Sequence, residues 1–249
     1  MSLDKEIHVY FMPGMSANSL IFERIKLPSK FRSHFLEWIP PLKSESLKDY
    51  SVRLSKSIKH QNPILIGVSF GGLIMQEVSK IINAKKVIII SSVKSRKELS
   101  NSMKFARKTK SYKFLPLSWI DDFENLIAFV FGPKIKKRVN LYRKYLSVRD
   151  QKYLDWSIDK IVNWDQEEPI KNVIHIHGTY DLIFPIINLK NYIPIEKGDH
   201  AVILKRADWL NEYFSKNLQK INLNFHCCLY TNREHLYQLC NGNPLKILC

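Results

Sequence analysis

The sequence predicts an α/β fold with a mostly parallel sheet of about six strands, flanked by helices. Two observations carry this prediction. Short, continuous apolar runs such as ILIGV at Ile64–Val68 and KVIII at Lys86–Ile90 are typical of strands that are buried on both faces. Segments with apolar residues at helical spacing separate these runs, and strands that alternate with helices form parallel sheets. The chain has 249 residues, 45% of them hydrophobic, which is enough for one large domain.

The first elements follow from local signals. The run IHVYFM predicts a buried strand over Ile7–Met12, and Pro13-Gly14 ends it. We expect a helix over Ser16–Leu27. We expect a short strand over Phe35–Ile39, closed by Pro40-Pro41.

The next segment has the clearest helical periodicity. Between Ser46 and Ile58, apolar residues recur at steps of three and four, and Ser46 with Asp49 forms a capping-box pattern. The strand Ile64–Val68 comes next. A helix over Phe70–Ile82 and the strand Lys86–Ile90 follow.

The second half resumes this alternation only after a long interruption. Strands are predicted over Val173–His177 and Tyr192–Ile195, with a closing helix from Ala207 to Leu218. The intervening region predicts several helices and so a helical cap inserted between two late strands. Its signals are Ser118 and Asp121 as a helix start, Gly132-Pro133 as a helix end, and a stripe of Ile135, Val139, Tyr142 and Leu146.

The expected organisation therefore has three parts. Residues 1–94 and 168–220 form the α/β core, residues 95–167 the helical cap, and residues 221–249 a C-terminal extension of unknown role. The beginning MSLDKEIHVY has no basic-then-apolar leader, and no apolar stretch reaches the length of a membrane span. We expect a cytoplasmic protein with no membrane span. The sequence leaves the oligomeric state open.

The chain is strongly basic, with a formal net charge of +16. Between Lys94 and Asp150 there are 15 Lys and Arg against 5 Asp and Glu. We interpret this excess as a solvated outer face of the cap, because the lysines mostly occupy polar positions of helical patterns. Attraction of anionic substrates such as acyl-CoA is the alternative. Nucleic acid is not an expected partner, because RNA-binding signatures are missing.

The four cysteines are confined to the last part of the chain, so the main fold has no cysteine nucleophile. They are Cys227, Cys228, Cys240 and Cys249. His226 and His235 lie beside them, but the spacing matches no zinc pattern. We expect neither a metal nor a cofactor.

The motif GVSFGG places Ser69 between Gly67 and Gly71, at the point where a predicted strand ends and a helix begins. In this context G-x-S-x-G indicates a nucleophile elbow. The sharp turn needs neighbours without side chains. The helix N-terminus supplies free backbone N–H groups and partial positive charge where an oxyanion would form.

A serine hydroxyl needs a base to take its proton, and that base needs an orienting acid. Asp181 follows the predicted strand VIHIH, and His200 follows the strand YIPI. The order Ser, Asp, His is the one used by this architecture. We therefore predict that Ser69 is the nucleophile, His200 the base and Asp181 the orienting acid.

Each of these residues also has a structural interpretation. Ser69 could fill a tight strand–helix corner, His200 could lie at the surface, and Asp181 could cap a helix. Asp199 could replace Asp181 as the acid, but adjacent side chains in an extended segment point apart, and we prefer Asp181. We interpret His177 as structural.

The residues PGMS, GVSFGG, HGTYD and GDH together resemble the α/β-hydrolase superfamily, most of all its small bacterial members with a helical cap and no assigned substrate. The resemblance extends from Ile7 to Leu218. It implies a Ser–His–Asp hydrolase whose oxyanion hole is formed by the backbone N–H groups of Met15 and Phe70. Many relatives have His-Gly-x-Gly where this chain has Pro13-Gly14-Met15-Ser16, which puts the geometry of the hole in question.

A serine at the elbow favours acyl transfer, and an ester is the expected substrate because its leaving group is the easiest to expel. Thioester hydrolysis and non-catalytic binding of a small molecule are the alternatives. The cap holds aromatic residues that pack internally or line an acyl site. These are Phe105, Phe114, Trp119, Phe123, Phe129, Phe131, Trp156 and Trp164.

Overall fold

A computed structural model describes residues 6–114 and 143–218. Within these ranges six strands form one sheet in the order β2-β1-β3-β4-β5-β6, and every neighbouring pair is parallel. The strands are β1 (Ile7–Met12), β2 (Phe31–Phe35), β3 (Ile64–Val68), β4 (Lys86–Ile90), β5 (Val173–Gly178) and β6 (Ile193–Ile195). This sheet confirms the predicted fold class.

Helices cover both faces of the sheet, which explains why its central strands are apolar throughout. They are α1 (Leu47–Ser55), α2 (Phe70–Ser79), α3 (Asn101–Thr109), α4 (Gln151–Val162), α5 (Val202–Lys205) and α6 (Ala207–Asn217). One face packs Val9, Phe11 and Ile66 against α5 and α6. The other packs Tyr10, Leu65 and Ile89 against α1 and α2. Successive strand residues alternate between the two clusters, as the pleat requires.

The predicted cap of α1 is present. The Ser46 side chain accepts a hydrogen bond from Asp49 N at 3.0 Å, and its hydroxyl contacts the Asp49 carboxylate at 2.6 Å. These contacts satisfy one of the free N–H groups at the start of the helix.

The expected helix over Ser16–Leu27 is wrong. Only a single 3₁₀ turn, Ser19–Phe22, forms there. Ser16 has a left-handed backbone with a φ of 66°, and the Asn18 backbone is extended. A helix cannot include these conformations. The segment instead forms a turn that follows β1, and Asn18 N donates to Tyr145 O at 2.9 Å.

The second expected strand is misplaced. The structure has it at Phe31–Phe35 instead of Phe35–Ile39, because β1 pairs with this earlier segment from Ile7 opposite Phe31 to Phe11 opposite Phe35. The later residues turn away from the sheet, and Trp38 stacks on Phe70.

The segment between β4 and β5 contains α3 and α4, which accords with helices inserted between two late strands. Leu146 is buried but lies after a turn, outside any helix. The other members of its predicted stripe, the Ser118–Asp121 start and the Gly132-Pro133 end lie outside the described residues, and so does the cysteine-bearing extension. The three-part division of the chain stays a prediction.

A search of the helices in the described part of the chain finds none with the length and apolarity that crossing a membrane requires.

Candidate active site

The site begins at the turn between β3 and α2. Ser69 has φ 51° and ψ −121°, a conformation that residues with a side chain rarely adopt. Such strain persists where surrounding contacts over-determine it. Here Ser69 N donates to Ile90 O at 2.9 Å, and the Ser92 hydroxyl donates to Ser69 O at 2.8 Å.

The two elbow glycines are required by close backbone approach. A Cβ atom on Gly67 would lie 2.3 Å from Gly71 O, and one on Gly71 would lie 2.3 Å from Pro13 O. Both separations are far below van der Waals contact, so any side chain here would displace backbone. The G-x-S-x-G spacing therefore serves to bring β1, β3 and α2 together around the serine.

The structure brings the three predicted side chains into one hydrogen-bonded chain. His200 Nε2 lies 2.9 Å from Ser69 Oγ, and His200 Nδ1 lies 2.8 Å from Asp181 Oδ2. These residues are separated by 131 and 19 positions along the sequence. They meet because each follows the end of a parallel strand, β3, β5 or β6, at the same edge of the sheet.

Asp181 is buried and well supplied with donors. Its Oδ1 accepts hydrogen bonds from Ile183 N at 2.8 Å and Phe184 N at 3.0 Å, which leaves Oδ2 for His200. Burial by itself raises the pKa of Asp181. The facing His200, together with His177 and the Phe184 amide, outweighs burial, and the pKa lies below its ordinary value. The carboxylate is therefore ionised at neutral pH.

No helix begins directly after Asp181, since the next helical turn starts at Ile186 with Pro185 as its N-cap, so the helix-cap interpretation does not describe Asp181. Asp199, the other candidate acid, points elsewhere. Its Oδ1 accepts from Ala201 N at 3.0 Å and its Oδ2 pairs with Lys205. The geometry therefore couples His200 to Asp181 and not to its sequence neighbour.

His177 lies behind the carboxylate, in agreement with a structural role. Its Nε2 is 2.9 Å from Phe184 O and 3.3 Å from Asp181 Oδ2, and its Nδ1 is 3.1 Å from His175 Nε2. Burial lowers the pKa of both His175 and His177. Sequence reasoning missed His175, although its alternation with His177 along β5 places both rings on one face of the sheet.

The predicted oxyanion donors belong to the two segments next to Ser69: Phe70 follows it in the chain, and a Cβ on Gly14, the residue before Met15, would lie 3.2 Å from Ser69 Cβ. Phe70 is the first residue of α2, where backbone N–H groups have no intrahelical partner. Met15 N donates to no group in the ranges 6–114 and 143–218. The preceding carbonyl, Gly14 O, accepts from Ala17 N at 3.0 Å and from Trp38 Nε1 at 3.1 Å.

Trp38 is a second residue that sequence reasoning missed. A peptide group is planar, and its N–H points away from its C=O. Anchoring Gly14 O on one side therefore directs the Met15 N–H to the other side. Trp38 also stacks on the Phe70 ring at a centroid distance of 5.2 Å, so it contacts both segments that carry the predicted donors. No local motif marks it.

A cavity of about 330 Å³ opens at Ser69 and His200. Met103 and Ala106 of α3, and Ile158, Ile161 and Val162 of α4, form one wall. The turns after the strands form the other. The lining also includes Gly14, Met15, Ala17, Ile21, Val68, Ser102, Tyr112, Leu146, Ile183, Phe184, Ala201, Ile203 and Leu204. Most of these side chains are aliphatic.

The predicted cap aromatics that the structure describes do not line this cavity, whereas Tyr112, which was not among them, does. Trp156 is buried against Tyr50 and donates through Nε1 to Glu45 O at 2.9 Å. Trp164 is buried and donates to Glu77 Oε1 at 2.8 Å, and Phe105 is 65% exposed. Of the others, the Phe114 side chain, Trp119, Phe123, Phe129 and Phe131 lie outside the described residues.

No family model matches the chain, and no curated protein matches it. Solved structures do match. A protein described as a non-heme bromoperoxidase from Mycobacterium tuberculosis H37Rv is 13% identical with a TM-score of 0.64, and the match covers 87% of this chain and 93% of that one. A thermophilic esterase from Thermogutta terrifontis is 11% identical with a TM-score of 0.58, over 87% of this chain and 91% of that one.

A thioesterase of the prodiginine pathway from Streptomyces coelicolor is also similar, with 13% identity and a TM-score of 0.55, over 84% of this chain and 90% of that one. At such identities the likeness concerns the fold. The neighbours point to the same fold as the parallel six-stranded sheet and the turn at Ser69. The chain has the fold of the α/β-hydrolase superfamily.

Proposed function

We propose that this protein is a serine hydrolase that cleaves carboxylic esters through an acyl-enzyme. One observation carries the proposal: the chain of contacts from Ser69 Oγ through His200 to the buried Asp181 ends at the mouth of an apolar cavity. A packing role for these residues would not require this alignment. Esterase and thioesterase neighbours on the same fold support the class of reaction.

In the proposed reaction, His200 Nδ1–H donates to Asp181, which leaves the Nε2 lone pair facing the serine. Ser69 Oγ attacks the substrate carbonyl carbon while His200 Nε2 takes its proton. The imidazolium then donates that proton to the departing alkoxide, and the ester C–O bond breaks. Water, deprotonated by the same nitrogen, hydrolyses the acyl-serine and releases the acid.

Negative charge on the carbonyl oxygen would be met by the N–H groups of Met15 and Phe70. These donors are fixed before substrate arrives, since Trp38 and Ala17 hold the Gly14 carbonyl and α2 holds Phe70. Preorganised donors of this kind are worth about 3 to 4 kcal/mol each in the transition state. The partial positive charge at the start of α2 adds to them.

The mostly aliphatic lining of the cavity favours a substrate that is recognised through an apolar acyl group. A volume of about 330 Å³ is at the lower end of typical ligand sites and suits a short to medium chain. Among the lining residues of α3 and α4 only Ser102 carries a polar group, so burying a charged acyl group against this wall would be unfavourable.

Thioester hydrolysis with acyl-CoA is the second candidate. The excess of 15 Lys and Arg over 5 Asp and Glu between Lys94 and Asp150 favours an anionic leaving group. The two reactions share every step at Ser69 and differ only in the group expelled. A faster rate with butyryl-CoA than with an activated butyrate ester would favour this candidate.

The test compares wild type and Ser69→Ala on p-nitrophenyl acetate and butyrate, with fluorophosphonate labelling and mass mapping. We expect Ser69→Ala to lower kcat/KM by at least about a thousandfold, as when a triad member is removed. The label should map to Ser69 in wild type only. Matching circular dichroism spectra would show that the variant is folded.

Equal slow rates in both proteins, with no label on Ser69, would favour a non-catalytic binding protein on this scaffold. Label on another residue would overturn the assignment of the nucleophile.

A further inference from the structure

Three histidine side chains converge at a place that the proposed hydrolysis does not use. His8 lies on β1, His34 on the edge strand β2, and His60 in the loop between α1 and β3. Each residue offers one ring nitrogen, Nδ1 or Nε2, and these three nitrogens lie within 4.8 Å of one another. All three side chains are half-buried. None of them lines the cavity at Ser69.

The spacing of these nitrogens suits a single ion. His8 Nδ1 lies 3.0 Å from His34 Nε2, and the His8 and His60 rings stack at a centroid distance of 3.4 Å. With Zn–N bonds of about 2.0 to 2.1 Å, two nitrogens of a tetrahedral site are about 3.3 Å apart. The His8 and His60 rings are nearly parallel, with an interplanar angle of 13°, so one of them has to tilt for the three lone pairs to meet at one ion.

We propose that His8, His34 and His60 bind one divalent transition-metal ion of the zinc type, with water as the fourth ligand. Imidazole nitrogen suits zinc, copper and nickel, whereas calcium and magnesium require oxygen ligands. The cluster offers three imidazoles and no carboxylate, so its chemistry selects the first group.

A neighbouring tyrosine orients one of the ligands. Tyr10 is buried, and its Oη lies 2.6 Å from His60 Nδ1 and accepts a hydrogen bond from Lys59 N at 3.0 Å. A hydroxyl oxygen can accept two such bonds. With His60 in its Nδ1–H tautomer, Nδ1–H would donate to Tyr10 and Nε2 would be left for the ion. Metal-binding histidines usually have such a partner on their second nitrogen.

A positive side chain close to the cluster, Arg32, is paired with a carboxylate. Arg32 lies on β2 between the two ends of the strand, and its Nε donates to Glu6 Oε1 at 2.9 Å. This ion pair reduces the repulsion that the guanidinium would exert on a bound cation.

An ion at this point would join β1, the edge strand β2 and the loop before β3. These segments are far apart in the sequence, so the unfolded chain has no equivalent site. A ligand that binds only the folded state raises its stability by mass action. The inferred role is a clamp on one edge of the sheet, independent of the reaction at Ser69.

The test uses the untagged full chain after removal of metal with EDTA. Zn²⁺ is titrated calorimetrically into wild type, His34→Gln and His60→Gln. We expect one Zn²⁺ per chain in wild type, at least about tenfold weaker binding in either variant, and a rise in the thermal midpoint with Zn²⁺ in wild type only. Tyr10→Phe, which removes only the orienting hydroxyl, should weaken binding by about 10- to 100-fold.

The cysteines outside the described residues are the main competitor for zinc, and a matched variant controls for them. Replacing Cys227, Cys228, Cys240 and Cys249 by Ser should leave the binding unchanged. Co²⁺ in place of Zn²⁺ should give visible bands without the thiolate-to-metal absorption that cysteine ligands produce.

Absence of Zn²⁺ binding to the metal-free wild type would overturn the proposal. Loss of binding in the cysteine variant, or full retention in both histidine variants, would do the same. Circular dichroism of the metal-free variants shows whether they are folded, and His60→Gln, in a loop, gives a second result should His34→Gln fail to fold.

Discussion

The two walls of the cavity are built differently. The wall formed by the carboxyl edge of the sheet carries Ser69 and His200 among apolar side chains. Its parts are held by backbone hydrogen bonds, by close approach of glycines and by the strained turn at Ser69. The opposite wall, formed by α3 and α4, contributes mainly aliphatic side chains such as Met103 and Ile158. The fold fixes the positions of the residues in the first wall through several independent contacts. The other depends on which side chains the inserted segment presents.

This difference suggests that the two walls have separate roles in the proposed reaction. In the proposed reaction the sheet edge carries the chemistry, because proton transfer requires fixed distances between Ser69, His200 and Asp181. On the same proposal, the inserted segment would set the shape of the space for the acyl group, and shape tolerates substitution better than the distances of a proton transfer do. Changes at the first wall should therefore affect every substrate equally, and changes at the second should discriminate among substrates.

The largest expected effect comes from the orienting acid. Asp181→Asn should lower kcat/KM on every ester by about 10³- to 10⁴-fold, because an amide cannot hold His200 in the right tautomer or stabilise its charge. Asp199→Asn is the matched control and should change kcat/KM by less than about threefold, since Asp199 contacts Ala201 N and Lys205 instead. Steady-state kinetics on two esters measure both. A larger loss in Asp199→Asn would reverse the assignment of the acid.

A change on the aliphatic wall should have a smaller and selective effect. Ile158→Trp fills part of the cavity, so kcat/KM for p-nitrophenyl octanoate should fall about tenfold relative to the acetate, within the range for apolar pockets. Phe105→Leu on α3, an exposed position outside the cavity, should leave the ratio unchanged. An equal loss on both esters would mean that this wall supports the chemistry and not only the choice of acyl group.

The smallest expected effect concerns how the stability of the folded protein depends on pH, through His175, which is buried in the sheet behind the site. Burial holds the pKa of His175 well below its ordinary value of about 6.5. As pH falls through that value, the unfolded chain takes up the proton first, so the stability contributed by neutral His175 is full above about 6.5 and is lost on acidification. His175→Gln should reduce the slope of unfolding free energy against pH by up to about 1.4 kcal/mol per pH unit.

Urea unfolding of both proteins at several pH values between 8 and 5 measures this slope. The two curves should run parallel above pH 7 and diverge below it. Parallel curves throughout would show that His175 is not held neutral in the folded protein.

The predicted elements show where sequence reasoning succeeds. Five strands were placed within one residue of their bounds, because buried parallel strands are short apolar runs between turn residues. They are the strands that begin at Ile7, Ile64, Lys86, Val173 and Ile193. The failures were Ser16–Leu27 and Phe35–Ile39. In both, a local pattern was overridden by contacts with distant segments, since Asn18 bonds to Tyr145 and β2 takes its register from β1.

By itself, the sequence determined the parallel sheet, the elbow at Ser69 and the short set of residues from which a triad could be drawn, because these depend on runs and spacings within a few residues. Only the tertiary structure decided that His200 meets Asp181 and not Asp199, that Trp38 anchors the turn before Met15, that aliphatic residues and not the described tryptophans line the cavity, and that His8, His34 and His60 converge. Most of these contacts join side chains that are far apart in the chain. The choice between Asp181 and Asp199 depends on the direction in which each side chain points. Such distances and directions exist only after the strands have paired.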